Sequence, residues 1–179
     1  MDGPAEARIA PAQAPWPPSV QARFETITPI RLFRVLARDE RLFARFMDGG
    51  FLDRGHLTLR DRELAILRVS ARNRSEYEWG VHVAFFATAA GFSEAEVAAT
   101  TAPFEAAGWT GRDALVVRLC DTLQASCDLA EDFWAELCAA FSEMGLLELL
   151  LLIGKYRQVC ILTNALRLEL EEGAPRFPS

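Results

Sequence analysis

The sequence is poor in the residues that most often build metal and redox sites. It contains two histidines and four cysteines. These are His56 and His82, and Cys120, Cys127, Cys138 and Cys160. The cysteines include no C-x-x-C pair, and their spacing is not that of a zinc site. Scattered thiols of this kind are typical of reduced packing residues in a cytoplasmic protein, so we expect that location and no disulfide framework.

Excess positive charge and long hydrophobic runs are also missing. The net charge is −6 and the isoelectric point is about 5.0, which argues against a nucleic-acid partner. The densest apolar run, LLELLLLIG at 146–154, reaches about half of the roughly 20 residues needed to cross a bilayer. The first 20 residues lack a basic stretch followed by an apolar one, so no secretory signal is predicted. We expect no membrane association.

What the chain does have is helical periodicity. No segment alternates like a strand between turn signals, and a chain of 179 residues can bury one core. Five of the nine prolines lie in residues 1–18, which predicts an extended Pro-rich arm, anchored by Trp16. We predict a single all-α domain at 19–172, followed by a tail at 173–179.

About eight helices are predicted, joined by short connections that favour antiparallel packing. Ser19, Thr58 and Ser93 are expected to cap three of them. One long helix is predicted across residues 31–47, and a break is predicted at Asn73 and Arg74. The helix that follows this break is expected to end at Gly91.

The stretch SEYEWGVH, residues 75–82, admits two interpretations. In the first it is only a capping box, in which the Ser75 hydroxyl accepts from the backbone N–H of Glu78 while the Glu78 carboxylate reaches back to Ser75. His82 is then a histidine hydrogen-bonded to a local partner. In the second interpretation the same residues belong to an active site.

The second interpretation follows from the expected helical hairpin. Glu63 lies about ten residues before the turn and His82 about nine after it, so at roughly 1.5 Å rise per residue their levels nearly coincide. Glu78 lies one turn from His82 on the same face. The spacing permits the three side chains to converge, although it leaves the rotation of each helix open.

Convergence of these groups would favour proton transfer. Two neighbouring carboxylates beside apolar side chains disturb each other's ionisation, and a histidine titrates near neutrality. Such a set can hold one proton ready to give and one site ready to accept. The same three residues could also bind zinc, manganese or iron. With only two histidines in the chain, we expect no metal.

Residues 57–97 resemble the carboxymuconolactone decarboxylase family, which includes the alkylhydroperoxidase D-like proteins. The resemblance rests on RDRELAIL, SEYEWGVHVAFF and the residues up to Val97, and extends weakly to ELLLLIGKYRQVCILTNAL at 148–166. It implies an alkylhydroperoxidase D-like helical bundle that assembles as a homo-oligomer, a trimer or a hexamer.

In the peroxidase branch of this family a glutamate is followed by C-x-x-C and, four residues later, a histidine. Glu63 and His82 match the glutamate and the histidine, whereas Ser75 and Glu78 stand at the two cysteine positions. A disulfide-cycling peroxidase needs a thiolate and a resolving thiol, which serine and glutamate cannot supply. The chain therefore resembles a subgroup without the redox pair, closer to the decarboxylase side of the family.

The main hypothesis is a cofactor-independent, lyase-type enzyme that performs acid/base chemistry on a small carboxylated molecule. Glu63 and His82 are the expected acid/base groups, with Glu78 as the third member. The candidates for substrate binding lie on the two helices of the predicted hairpin, at its turn, and on the last predicted helix. They are Ser75, Tyr77, Trp79, Tyr156, and Arg72 or its neighbours Arg68 and Arg74.

Two alternatives stay open. A hydroperoxide reductase would need one of the four cysteines as its peroxidatic thiol. A non-catalytic oligomeric binding protein would have a closed cavity, a complete capping box at Ser75 and Glu78, and Glu63 pointing away.

Overall fold

The computed structural model describes residues 7–178, and over this range the chain forms ten helices and no strand. They are α1 (Pro18–Phe24), α2 (Arg31–Leu36), α3 (Glu40–Asp48), α4 (Leu59–Arg72), α5 (Glu76–Phe86), α6 (Glu94–Ala99), α7 (Phe104–Ala107), α8 (Gly111–Ser126), α9 (Glu131–Ala140) and α10 (Glu143–Leu166). The predicted all-α class is confirmed.

The count differs from the predicted eight for two reasons. The helix expected across residues 31–47 is two helices, because the Asp39 side chain accepts a hydrogen bond from the Leu42 N–H at 2.8 Å and begins α3 afresh. The second addition is α7, a single turn. The helix expected to reach Gly91 ends at Phe86, and Gly91 lies in the turns beyond it.

The predicted arm packs against the helices as far as it is described, while residues 1–6 lie outside the described range. Its backbone bonds to α10 and α2 through Arg8 N–H to Leu166 O and Ala12 N–H to Arg34 O. Trp16 meets Phe24 edge-on at 5.0 Å, which confirms it as an anchor. The expected Ser19 cap is wrong: α1 begins at Pro18, whose ring suits a first helical position.

Helix α4 lies at the centre of the core. It packs against α5, α8 and α10, and its residues 63–70 are all buried. A helix buried on every side places any polar residue it carries in the interior. Glu63 on this helix is therefore fully buried.

The segment after α10 closes over α5. Phe177 packs its ring on Trp79 at 5.3 Å between centroids, and its N–H donates to Glu76 at 2.9 Å. The Pro175 carbonyl oxygen lies 2.5 Å from where a Cβ on Gly80 would stand, so only glycine fits there. The predicted domain limits at 18 and 172 stay a prediction.

Within residues 7–178 no single helix has both the length and the apolar character to cross a membrane. Helices α9 and α10 taken together have the length and composition that a membrane span needs, but a bend of 116° separates them.

Candidate active site

The site is built on the hairpin of α4 and α5. The predicted capping box at Thr58 and Asp61 is present and begins α4. The turn falls where it was predicted, with Arg74 at a φ of 54° between the two helices. The Glu63 carboxylate and the His82 imidazole then meet at 2.7 Å, which confirms the predicted register of the hairpin.

The Ser75 cap forms only half of a capping box. Its Oγ accepts a hydrogen bond from the Glu78 N–H at 3.4 Å, as the first interpretation expected. The Ser75 N–H, however, donates to the Ser70 carbonyl at 2.9 Å. The Glu78 carboxylate is thus not needed for the cap, and it turns to His82 instead.

Each nitrogen of His82 faces a different carboxylate. Nδ1 lies 2.7 Å from Glu63 Oε2, and Nε2 lies 3.3 Å from Glu78 Oε1. The other Glu63 oxygen accepts from Arg62 Nε at 2.8 Å. The second Glu78 oxygen, Oε2, is buried and has no hydrogen-bond partner among the described residues. Both glutamates and the histidine are buried, so the chain Arg62–Glu63–His82–Glu78 has one unsatisfied acceptor, at its Glu78 end.

The two carboxylates determine the charge of the histidine. Burial by itself lowers the pKa of His82, but the hydrogen bonds and charges of Glu63 and then Glu78 outweigh burial and raise that pKa to about 9. The imidazole is therefore protonated at neutral pH, and both of its nitrogens donate.

The two carboxylates lie on opposite edges of the imidazole, so they do not converge on one point with it. Among residues 7–178 no group of three or more histidine, cysteine, aspartate or glutamate side chains is arranged to hold a metal ion. A metal bound by His82 Nε2 and Glu78 would have only these two ligands among the three residues, because Glu63 lies at the opposite edge of the imidazole. Metal sites normally use more protein ligands.

His82 opens onto a cavity of about 570 Å³, within the size range of small-molecule sites. The imidazole lies between the rings of Phe86 and Tyr156, at 5.2 and 5.1 Å between centroids. Most of the cavity wall is apolar and comes from the segment 27–33, from residues 46–52 and from α5 and α10. Its apolar residues are Ile27, Ile30, Leu32, Phe33, Phe46, Met47, Phe51, Leu52, Val81, Phe85, Phe86 and Val159.

Of the predicted substrate-binding residues, Tyr156 alone lines this cavity. Its burial raises the pKa of its hydroxyl well above the ordinary value, so the phenol keeps its proton at neutral pH. Glu78 and His82 also line the cavity, whereas Glu63 lies behind His82.

The remaining candidates have other partners. Ser75 is fully buried and shares a hydrogen bond of 2.8 Å with Thr163. The Tyr77 hydroxyl donates to Glu171 at 2.6 Å, and Trp79 Nε1 donates to Thr100 at 2.9 Å. These contacts hold α5 to elements far away in the chain. None of the three residues lines the cavity, and the expectation that they contact substrate stays a prediction.

The three arginines likewise lie away from the cavity. Arg72 is half exposed and lies 3.4 Å from Asp121. Arg68 is buried in a two-point pairing with the same aspartate, and Arg74 does not line the cavity either. The interior cation that does line it is Lys155 on α10, which was missed. A signal was available, because Lys155 is the only lysine in the chain.

Comparisons with known proteins bear on the family and the fold. Residues 40–118 match the family model described as the carboxymuconolactone decarboxylase family. The predicted resemblance to this family is thus confirmed over these residues. No protein of the curated set matches the chain.

Two solved structures share the fold. An uncharacterized peroxidase-related protein from Silicibacter sp. TM1040 superposes with a TM-score of 0.82 at 16% identity, over 97% of this chain and 95% of that one. The alkylhydroperoxidase AhpD core of an uncharacterized peroxidase-related protein from Ralstonia eutropha JMP134 gives 0.78 at 16% identity, over 92% and 93%. The alkylhydroperoxidase D-like fold is confirmed.

Proposed function

We propose that this protein catalyses cofactor-independent proton transfer at carbon, of the decarboxylation or isomerisation type, on a small carboxylated molecule. One observation carries the proposal: a charged histidine and a carboxylate with a free oxygen stand side by side at the wall of an apolar cavity. An acid and a base in contact at an apolar wall are the requirements for moving a proton to and from carbon.

The roles follow from which groups reach the cavity. His82 is the acid, because its Nε2–H is directed to the cavity side, where Glu78 lies. Glu78 is the base. Glu63 acts as a positioning residue, since it does not line the cavity but bonds Nδ1 and supports the positive charge. This assignment departs from the expectation that Glu63 itself transfers protons.

In an isomerisation, Glu78 accepts a proton from a carbon next to a carbonyl and the electron pair moves into that carbonyl. His82 stabilises the resulting enolate and donates its Nε2 proton to another carbon of the conjugated system. The proton on Glu78 then passes to Nε2, 3.3 Å from Glu78 Oε1, and restores the starting charges. In a decarboxylation, the bond to the carboxylate breaks and its electron pair moves into the conjugated carbonyl. His82 then protonates carbon, and a proton from solvent restores the imidazolium.

The thiol-peroxidase alternative, to which the names of both solved relatives point, receives less support. None of the four cysteines lines the cavity. Burial raises the pKa of Cys160 to about 12 and also raises the pKa of Cys120, which disfavours thiolates there. Cys127 and Cys138 are exposed elsewhere. Two features expected of a non-catalytic binding protein, a complete capping box and an averted Glu63, differ from the geometry of Ser75, Glu78 and Glu63 described above.

We further propose a cytoplasmic homo-oligomer. Free thiols suit a reducing compartment. Helix α10 exposes Leu147, Leu151 and Ile161 at 49, 59 and 61%, which supports association of copies through this face.

The test is incorporation of deuterium from D₂O, together with CO₂ release, across a panel of small unsaturated carboxylic acids. His82→Ala and Glu78→Gln should each reduce turnover by roughly 10²- to 10⁴-fold, the usual contribution of a positioned acid or base. His56→Ala is the matched control, because His56 does not line the cavity. Unchanged turnover in both site variants would refute the proposal.

A further inference from the structure

The single lysine of the chain is held at the cavity wall by two contacts with one residue. Lys155 Nζ donates to the Phe46 carbonyl at 2.9 Å and stands 3.8 Å from the centre of the Phe46 ring. A carbonyl and an aromatic face both favour a cation. Together these two contacts fix the position of the ammonium group. Lys155 directly precedes Tyr156 in α10.

No carboxylate within the described range pairs with this ammonium inside 4.0 Å. The cavity is also lined by one other cation, Arg23, and by two carboxylates, Asp48 and Asp53. All three side chains are exposed. Glu78 is committed to His82. Half-buried Lys155 therefore adds an unneutralised positive charge to the cavity, and its burial lowers the pKa of the amine. An anionic group of a ligand would supply the missing partner.

Glu78, which lines the same cavity, carries a second unsatisfied group. Glu78 is 95% buried, because only 5% of its surface is exposed, and its Oε2 has no donor. Leaving a buried acceptor unpaired is unfavourable, so a ligand that brings an acidic C–H or an O–H to this oxygen would satisfy it. Most of the other residues that line the cavity are apolar.

We propose that Lys155 binds the carboxylate of an apolar monocarboxylic acid whose reacting carbon lies at Glu78 and His82. This inference rests on the proposed function, and it narrows the substrate class. An ammonium group stabilises a carboxylate more than the neutral CO₂ that it would become. The anchored carboxylate is therefore retained, and a substrate with one carboxylate undergoes proton transfer of the isomerisation type.

The experiment compares the binding of 4-phenylbutanoate and its neutral amide, 4-phenylbutanamide, by calorimetry. The wild-type protein should bind the acid roughly 10- to 100-fold more tightly, the effect of one charge-assisted contact. Lys155→Met should remove this preference by weakening only the acid. Arg157→Met is the matched control on the same helix, since Arg157 bonds to Cys127 and does not line the cavity. It should keep the preference.

A second measurement uses the wild-type protein, so it does not depend on whether Lys155→Met folds. Reductive dimethylation with ¹³C-formaldehyde keeps the charge of Lys155 and labels no other side chain, because the chain has one lysine. The Lys155 methyl signal should shift on addition of the acid and not on addition of the amide.

Equal affinity for acid and amide, a preference that survives in Lys155→Met, or no binding of the acid up to about 10 mM would each overturn the proposal. Both probes are unreactive, so binding is measured apart from turnover. A wild-type protein that shows no preference for the acid but retains His82-dependent turnover refutes the role of Lys155 alone. A lysine-dependent preference without turnover in any substrate refutes the proposed function alone.

Discussion

The charge of His82 predicts how the stability of the protein depends on pH. The pKa of His82 is raised from 6.5 to about 9 in the folded state. Between these values the folded chain holds a proton that the unfolded chain has released, so the free energy of unfolding falls as pH rises. The stabilisation is fully present below pH 6.5 and is lost as pH passes about 9.

A shift from 6.5 to about 9 corresponds to a stabilisation on the order of 3 kcal/mol, at roughly 1.4 kcal/mol for each pK unit. The histidine is buried, so solvent screening does not reduce this figure. A loss of this size is a large fraction of the stability of an ordinary domain.

The assay is urea unfolding from pH 6 to 9 on the wild-type protein and on His82→Gln, which has no titrating group at this position. The wild-type free energy of unfolding should fall by about 1 kcal/mol or more per pH unit over the upper part of this range, relative to the variant. Subtracting the variant removes the titration of the cysteines. Parallel curves, or a wild-type stability that rises with pH, would refute the reasoning about Glu63 and Glu78.

Two further predictions concern packing. Gly80→Ala should destabilise the protein by about 1–3 kcal/mol in thermal unfolding, because its Cβ would meet the Pro175 carbonyl at 2.5 Å. Leu151→Glu, on the exposed face of α10, should reduce the mass measured by light scattering to that of a single chain; an unchanged mass would contradict assembly through this face.

The hairpin of α4 and α5 illustrates what could be predicted from the sequence. The Thr58 cap, the turn at Arg74 and the meeting of Glu63 with His82 all depend on residues fewer than 25 positions apart. Caps and helical rise are local properties, so spacing in the chain translates directly into distance in space. Even here the direction of Glu78 required the structure, because Ser75 can cap α5 without it.

Tyr77 and Trp79 illustrate the opposite case. Both flank Glu78 in the sequence and were natural candidates for the wall of the site. The partner of Tyr77 is Glu171, 94 positions away in the chain, and the partner of Trp79 is Thr100, at the end of α6. Which face of a buried helix meets which neighbour depends on long-range packing, and helical spacing carries no information about it.

The sequence by itself determined the helical class, the register of Glu63 and His82, and the lack of a C-x-x-C pair, because each of these depends on local hydrogen bonding or on residue identity. The tertiary structure alone decided that Glu78 and His82 open onto the cavity while Glu63 supports them from behind. It also brought Lys155 to the same wall, from more than 70 residues further along the chain. These arrangements arise when α4, α5 and α10 bury their apolar surfaces together, and only that packing decides which polar groups share one space.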